Sequence, residues 1–240
     1  MTARSRPALG LALALCFALP ACTAASRNPD YDPLETMNRG LFAFNEGFDE
    51  WVLTPTATGW EAIASDGVRR SVSNFFDNLL FANDFFNNLL QGKFQNTAEV
   101  TGRFVVNTTV GVLGFFDPAT DWGMPAHHED FGQTLGVWGL APGAYITLPF
   151  WGPNNGRDTI GFIVDWITPG SISHILVFSA DAVNDRSHNL QRMEDLRAAS
   201  LDFYAFVRNA YSQSRASLIA DDTDVQPEVE EDLYDIPDDE

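Results

Sequence analysis

The densest group of side chains able to do chemistry is His127-His128-Glu129-Asp130, four consecutive residues carrying imidazoles and carboxylates. Adjacent residues rarely converge on one metal ion, and no second cluster at ligand spacing accompanies them, so a solvated loop is expected here and no metal. Arg103 and the pair Arg157-Asp158 come next, because basic residues are scarce. A guanidinium fork can grip a phosphate, or it can tie a loop to a carboxylate or to carbonyl oxygens, and the sequence leaves both open. Neither a G-x-S-x-G elbow, an H-E-x-x-H pair nor a G-x-x-x-x-G-K loop occurs, so a hydrolase, a zinc peptidase and a P-loop enzyme are unsupported. The chain is read as a non-enzyme without a cofactor.

Cys22 is the one further reactive group of consequence. Arg4 and Arg6 precede an apolar run from Leu9 to Leu19, too short to span a bilayer, and Leu19-Pro20-Ala21-Cys22 closes it as a lipoprotein-type box. Residues 1–21 are therefore read as a signal peptide and 22–31 as a lipidated tether. Cys16 leaves with the signal, so Cys22 is the single cysteine of the mature chain and no internal disulfide is possible. Acylation explains its retention: each buried methylene contributes roughly 0.8 kcal/mol, and two or three chains anchor durably. Ordinary cleavage near Ala21, leaving a stray thiol, is the alternative.

Thirty-three acids face fourteen basic residues in the whole chain, and Lys93 is the single lysine. Such a balance repels nucleic acid and anionic headgroups alike, so membrane contact must come from apolar faces and the anchor. Residues 221–240 hold eleven acids without Lys or Arg. They read as a disordered acidic tail, or else as a short docking helix for a basic partner, with Val225, Val229, Leu233 and Ile236 spaced by four, four and three.

The elements that must position these groups are helical. Asp32-Pro33-Leu34-Glu35 looks like an N-cap, a first-turn proline and a capping-box Glu. Met37, Leu41, Phe44, Phe48 and Trp51 then form one apolar stripe, expected to face the core, until Thr54-Pro55 ends the helix. Residues 71–91 read as one helix with Phe75, Leu79, Phe86 and Leu90 in one sector and Asp77, Asp84 and Asn88 opposite. Its five Asn suit a bilayer boundary, with amides toward headgroups. Gly92 ends it, Phe94 to Thr109 makes another helix, and Gly111 and Gly114 permit close approach. Thr159 to Ile167 forms a short helix before Thr168-Pro169-Gly170, and residues 179–218 form one or two long helices whose arginines face water. No region alternates long enough for a confident strand. No apolar run reaches the roughly 18 residues of a spanning helix, which places the protein in or on one leaflet.

Between Glu129 and Asp158, Gly and Pro mix with Phe131, Trp138, Tyr145, Phe150 and Trp151. Gly-rich segments are usually polar linkers and aromatic ones usually pack, so irregular backbone held against something apolar is expected. Trp138, Tyr145, Phe150 and Trp151, with Arg157, are the candidate lipid-path residues.

These motifs in order resemble the MlaA/VacJ family of outer-membrane lipoproteins. The resemblance runs through Asp32-Pro33-Leu34-Glu35, Met37-Asn38-Arg39, Phe44-Asn45, Ser73-Asn74-Phe75, Leu90-Gln91-Gly92, Arg103-Phe104 and Asn107-Thr108. It continues through Gly111, Gly114, Asp117-Pro118-Ala119, Asp130-Phe131-Gly132-Gln133-Thr134-Leu135-Gly136, Gly143, Tyr145, Leu148-Pro149, Gly152 and Arg157-Asp158. One departure stands out: the family usually has an acid and a proline soon after the match to Asn78-Leu79, where this chain has Leu80-Phe81-Ala82-Asn83, so a bend there is in doubt.

The resemblance implies a mainly α fold over residues 32–220, a single helical ring in one leaflet around an amphipathic pore. It implies removal of phospholipids misplaced in the outer leaflet and their delivery to a periplasmic lipid carrier, beside a trimeric porin, from the periplasmic face of the outer membrane. Within that frame the glycine-rich stretch is expected to line or gate the pore. The competing reading is a structural lipoprotein that scaffolds a porin without moving lipid; an esterase lacks a visible nucleophile.

Overall fold

The computed structural model describes residues 32–167 and 174–221. The signal segment, Cys22 and its tether, the 168–170 break and the acidic tail beyond Asp221 lie outside the described residues. Helices dominate: α1 (Glu35–Phe48), α2 (Thr54–Ile63), α3 (Asp66–Leu79), α4 (Phe81–Leu90), α5 (Phe94–Thr109), α6 (Pro118–Asp121) and α7 (Phe131–Val137). An antiparallel hairpin, β1 (Tyr145–Leu148) and β2 (Gly152–Asn155), leads into α8 (Gly156–Ile167), α9 (His174–His188), α10 (Leu190–Ala199) and α11 (Phe203–Ala220). No described helix is long and apolar enough to cross a membrane.

The first rod departs from expectation at both ends. The N-cap position is Leu34, without a side-chain cap, and Asp32 stands two residues before it, accepting from Leu34 N at 3.1 Å and from Asn38 Nδ2 at 2.9 Å. Glu35 instead reaches forward to Arg39, at 2.8 Å, so no reciprocal capping box forms. Thr54-Pro55 does not end the rod. Pro55 has no N–H, and its ring crowds the carbonyl four residues back. The chain responds with a π turn over Asp49–Leu53, where Thr54 N bonds Asp49 O, and α2 continues beyond it.

Burial is inverted relative to a water-soluble domain. Met37, Phe44 and Trp51 of the α1 stripe are exposed, Trp51 by 79%, while the buried residue of α1 is Asn38 at 0%. The expected core stripe is thus a surface, and the interior is polar. Asp84, Asn87 and Asn88 of α4 are buried whereas Phe86, Leu89 and Leu90 are exposed. The amides of this region therefore turn inward rather than toward headgroups. Asn87 Nδ2 binds Asn83 O at 3.0 Å and its Oδ1 accepts from Thr134 Oγ1 at 2.8 Å; Asn88 Nδ2 binds Asp84 O at 2.9 Å. Buried polar atoms need such partners, and the amide N–H groups of Asn87 and Asn88 find theirs on carbonyls of the preceding turn.

Residues 71–91 are two helices. At Leu80 the N–H is shared between Phe76 O and Asp77 O, and the chain turns into α4 without a proline. Phe81 stacks on Phe104 at 4.1 Å, which seats α4 on α5. After α5, a Cβ on Gly111 would stand 2.5 Å from Asn107 O, so the expected close approach is real. The loop beyond it exposes Val112, Leu113 and Phe116.

The strand pair was not legible in the sequence. Thr147 pairs with Pro153 and Tyr145 with Asn155, and the tip carries Phe150 at φ 69° and Gly152 at φ 78°. Two amides on one face of α1, two turns apart, clamp it. Asn38 donates to Tyr145 O at 3.0 Å and accepts from Thr147 N at 2.9 Å; Asn45 donates to Leu148 O at 2.9 Å and accepts from Phe150 N at 2.8 Å.

Helices α7 and α8 cross at glycine: a Cβ on Gly161 would stand 2.6 Å from Gly132 Cα. The C-terminal region forms three helices rather than one or two, and of its five arginines Arg192 does face water while three turn inward. Arg186 and Arg208 are buried, and the Arg215 side chain is 14% exposed.

Candidate functional site

The loop with two histidines is solvated in part, with His128 exposed, but its side chains are tied down. His127 Nε2 meets Glu99 at 2.6 Å, His128 Nδ1 meets Asp84 at 3.1 Å, and the buried Glu129 binds Lys93 at 2.7 Å and Gln91 at 2.8 Å. Hydrogen bonding to Asp84 raises the His128 pKa. Among the described residues no group of three or more His, Cys, Asp or Glu is placed to hold a metal ion. A cavity of about 50 Å³ beside this loop is bounded by Asp77, Asp84, Arg103, Asn107 and His128, space for a water or two.

Arg103 takes the structural option, binding Asp117 Oδ2 at 2.9 Å, Thr120 Oγ1 at 3.1 Å and Met124 O. Asp158 is the centre of a buried network. It accepts from Arg157 Nε at 2.7 Å, Arg215 Nε at 2.9 Å, Tyr211 OH at 2.7 Å and Asn155 Nδ2 at 2.6 Å. Arg215 also forks onto Asp130 at 2.6 and 2.9 Å. Burial pushes both carboxyl pKa values up, but the arginines reverse this and hold them below the ordinary range. The Asp130 side chain meanwhile caps α7 through Gln133 N at 2.8 Å.

A larger cavity, of about 500 Å³, opens where the π turn, the hairpin tip, α8 and α9 meet. Phe48, Val52, Leu53 and Thr56 form one wall; Phe150 and Trp151 come from the hairpin, Phe162 and Trp166 from α8, and Ser179, Ala182 and Val183 from α9. The rings brace one another edge to face, Phe48 on Phe150 at 5.1 Å, Trp151 on Phe162 at 5.5 Å and Trp151 on Trp166 at 6.3 Å. Arg186 fastens α9 to the π turn beside it, reaching Asp49 at 2.7 and 3.0 Å and Thr54 Oγ1 at 3.0 Å.

Of the five candidate lipid-path residues, Phe150 and Trp151 line this cavity. Trp138 does not: it is exposed at the end of α7, donates to Leu90 O at 3.3 Å and touches Phe131. Tyr145 is buried between Tyr204 and Tyr211, and Arg157 is buried against Asp158. Sequence reasoning missed Phe162 and Trp166, although their i, i+4 spacing was a usable signal.

The profile of the MlaA lipoprotein family matches residues 30–218. The chain belongs to that family. The intermembrane phospholipid transport system lipoprotein MlaA of Escherichia coli (strain K12) is 32% identical over 225 residues, covering 85% of this chain and 87% of that protein. An uncharacterised protein of Rickettsia felis is 32% identical over 196 residues, 79% of this chain and 78% of its own. A solved structure, reported as "Structural basis for maintenance of bacterial outer membrane lipid asymmetry", superposes with a TM-score of 0.71 at 30% identity, covering 79% of this chain and 99% of that one. The residues matched to the MlaA family include those of the cavity and of the clamps.

Proposed function

We propose that this protein is an outer-membrane lipoprotein, held by acyl chains on Cys22, that removes phospholipids misplaced in the outer leaflet. It passes them to a periplasmic carrier and works beside a trimeric porin. The observation that carries this reading is the inversion of the fold, with Asn38, Asn88 and Thr134 fully buried while Trp51, Ile63 and Phe94 are 71–80% exposed. Apolar area in water costs roughly 25 cal/mol per Å², so such a surface belongs in hydrocarbon, and helices that satisfy their own backbone suit that setting. The relatives' name as phospholipid transport lipoproteins supports the direction of the reading.

The 500 Å³ cavity is where an acyl chain would leave the bilayer. Phe150 and Trp151 are its hairpin wall, Tyr145 and Arg157 hold that hairpin and α8 from behind, and Trp138 stands on the lipid-facing surface. Carrying two ~16-carbon chains through water would cost on the order of 25 kcal/mol at 0.8 per methylene, which is the barrier such a cover removes. Deleting the gene and measuring phospholipid in the outer leaflet tests this. A rise is expected; an unchanged outer leaflet with altered porin assembly would instead favour the scaffold reading.

A further inference from the structure

We infer that the cavity selects its lipid by the acyl chain and is indifferent to headgroup charge; this rests on the lipid-site reading above. Among the described residues that line it, none carries a charge, and the polar groups are the hydroxyls of Thr56 and Ser179 and the indole N–H of Trp151 and Trp166, all neutral. Thr56 Oγ1 is already bonded to Val52 O at 2.6 Å. An anionic phosphate is ordinarily selected by an available guanidinium. Here the guanidiniums of the neighbouring elements are committed. Arg186 is buried in a two-point pair with Asp49, and Arg157 is buried against Asp158, which Arg215 also holds. Releasing either to a lipid would strand a carboxylate in a low-dielectric interior.

A cationic headgroup fares no better. Ammonium recognition needs ring faces converging on one point within about 6 Å; Trp151, though 38% exposed, meets Phe150, Phe162 and Trp166 edge to face at 5.5–6.3 Å, so these rings are turned on one another and form no such cage. Val52, Leu53, Ala182 and Val183 complete a wall suited to methylenes. The headgroup therefore stays outside the cavity, and the chain length and saturation inside it set affinity.

The test loads the full-length lipidated protein in detergent with phosphatidylethanolamine, phosphatidylglycerol and phosphatidylcholine of identical acyl chains, and counts retained lipid by native mass spectrometry. Ala182→Trp, which fills the cavity, serves as the comparison. The inference expects occupancies within about threefold of one another, all reduced together in A182W. A preference of about tenfold or more for one headgroup, corresponding to about 1.4 kcal/mol, lost in A182W, overturns the inference while leaving the lipid site standing. Occupancy that A182W does not change overturns the lipid site itself, and the inference with it.

Discussion

Asn38 accepts a hydrogen bond from the backbone N–H of Thr147 at 2.9 Å, across 109 residues of chain, and both side chains are completely buried. The same amide donates to Tyr145 O, so one helix side chain replaces the partner strand that the outer edge of β1 lacks. Asn38→Ala leaves a buried N–H and a buried C=O unpaired. It is expected to destabilise the fold by about 2–4 kcal/mol, read as a drop in the denaturant midpoint of the detergent-solubilised protein. Asn45→Ala, at the less buried end of the clamp, should cost less; equal and negligible losses would rule out the clamp.

Gly161 and Gly132 set the distance between α7 and α8. Gly161→Ala forces a Cβ against the Gly132 backbone and is expected to cost about 3 kcal/mol or more, since neither helix can yield without breaking the Asp130 and Asp158 networks. Gly59→Ala meets nothing within 4 Å and lies inside α2, so it should stabilise by about 0.5–1 kcal/mol. Thermal unfolding of the two variants in parallel checks the contrast, and a harmless G161A would refute the crossing geometry.

The cavity wall depends on Arg186. Arg186→Met leaves Asp49 with Thr54 and the 3.5 Å contact to Arg197 alone, for a loss of about 3 kcal/mol. Arg186→Met combined with Asp49→Leu should recover most of it, because both members of the pair are then replaced by apolar groups. A double variant no better than R186M would show that the pair is not what holds α9 there.

Two acids make stability pH-dependent in an unusual direction. Burial lifts the Asp165 carboxyl to about 6, against the hydrogen bond it accepts from Phe131 N at 3.0 Å. Burial, then repulsion from Asp185 and Asp77, lifts Asp181 to about 7. An unfolded carboxyl titrates near 4, so between about pH 4 and 7 the folded chain binds more protons and loses stability as pH rises. Unfolding at pH 5 should need more denaturant than at pH 7.5. Asp165→Asn should flatten the part of that slope below about pH 6, and an unaltered slope would count against the assignment.

Helix positions were largely legible because capping and glycine signals are local: α5 spans Phe94–Thr109 as read, and Gly92 stops α4 at φ 77°. The inside and outside were not, because an apolar stripe such as Met37–Phe44–Trp51 has the same period whether it meets a core or a lipid. The hairpin escaped notice since its outer edge pairs with Asn38 and Asn45 rather than with a third strand. Arg186, Arg208 and Arg215 were placed in water by a rule that holds for soluble folds, and the acids that hold two of them, Asp49 for Arg186 and Asp130 and Asp158 for Arg215, come from elements 57–137 residues away. Cys22, the proposed anchor, lies outside the described residues, and Cys22→Ala is expected to shift the protein to the soluble periplasmic fraction; continued outer-membrane fractionation would contradict the anchor.

The most direct measurement compares two substitutions at one cavity position in cells lacking the native gene. Outer-leaflet phospholipid is quantified after complementation with Ala182→Ser or Ala182→Trp, both confirmed by fractionation and protease resistance to be folded and membrane-bound. The account predicts that A182S restores the low outer-leaflet level and that A182W leaves it as high as in the deletion. Full restoration by A182W would contradict it.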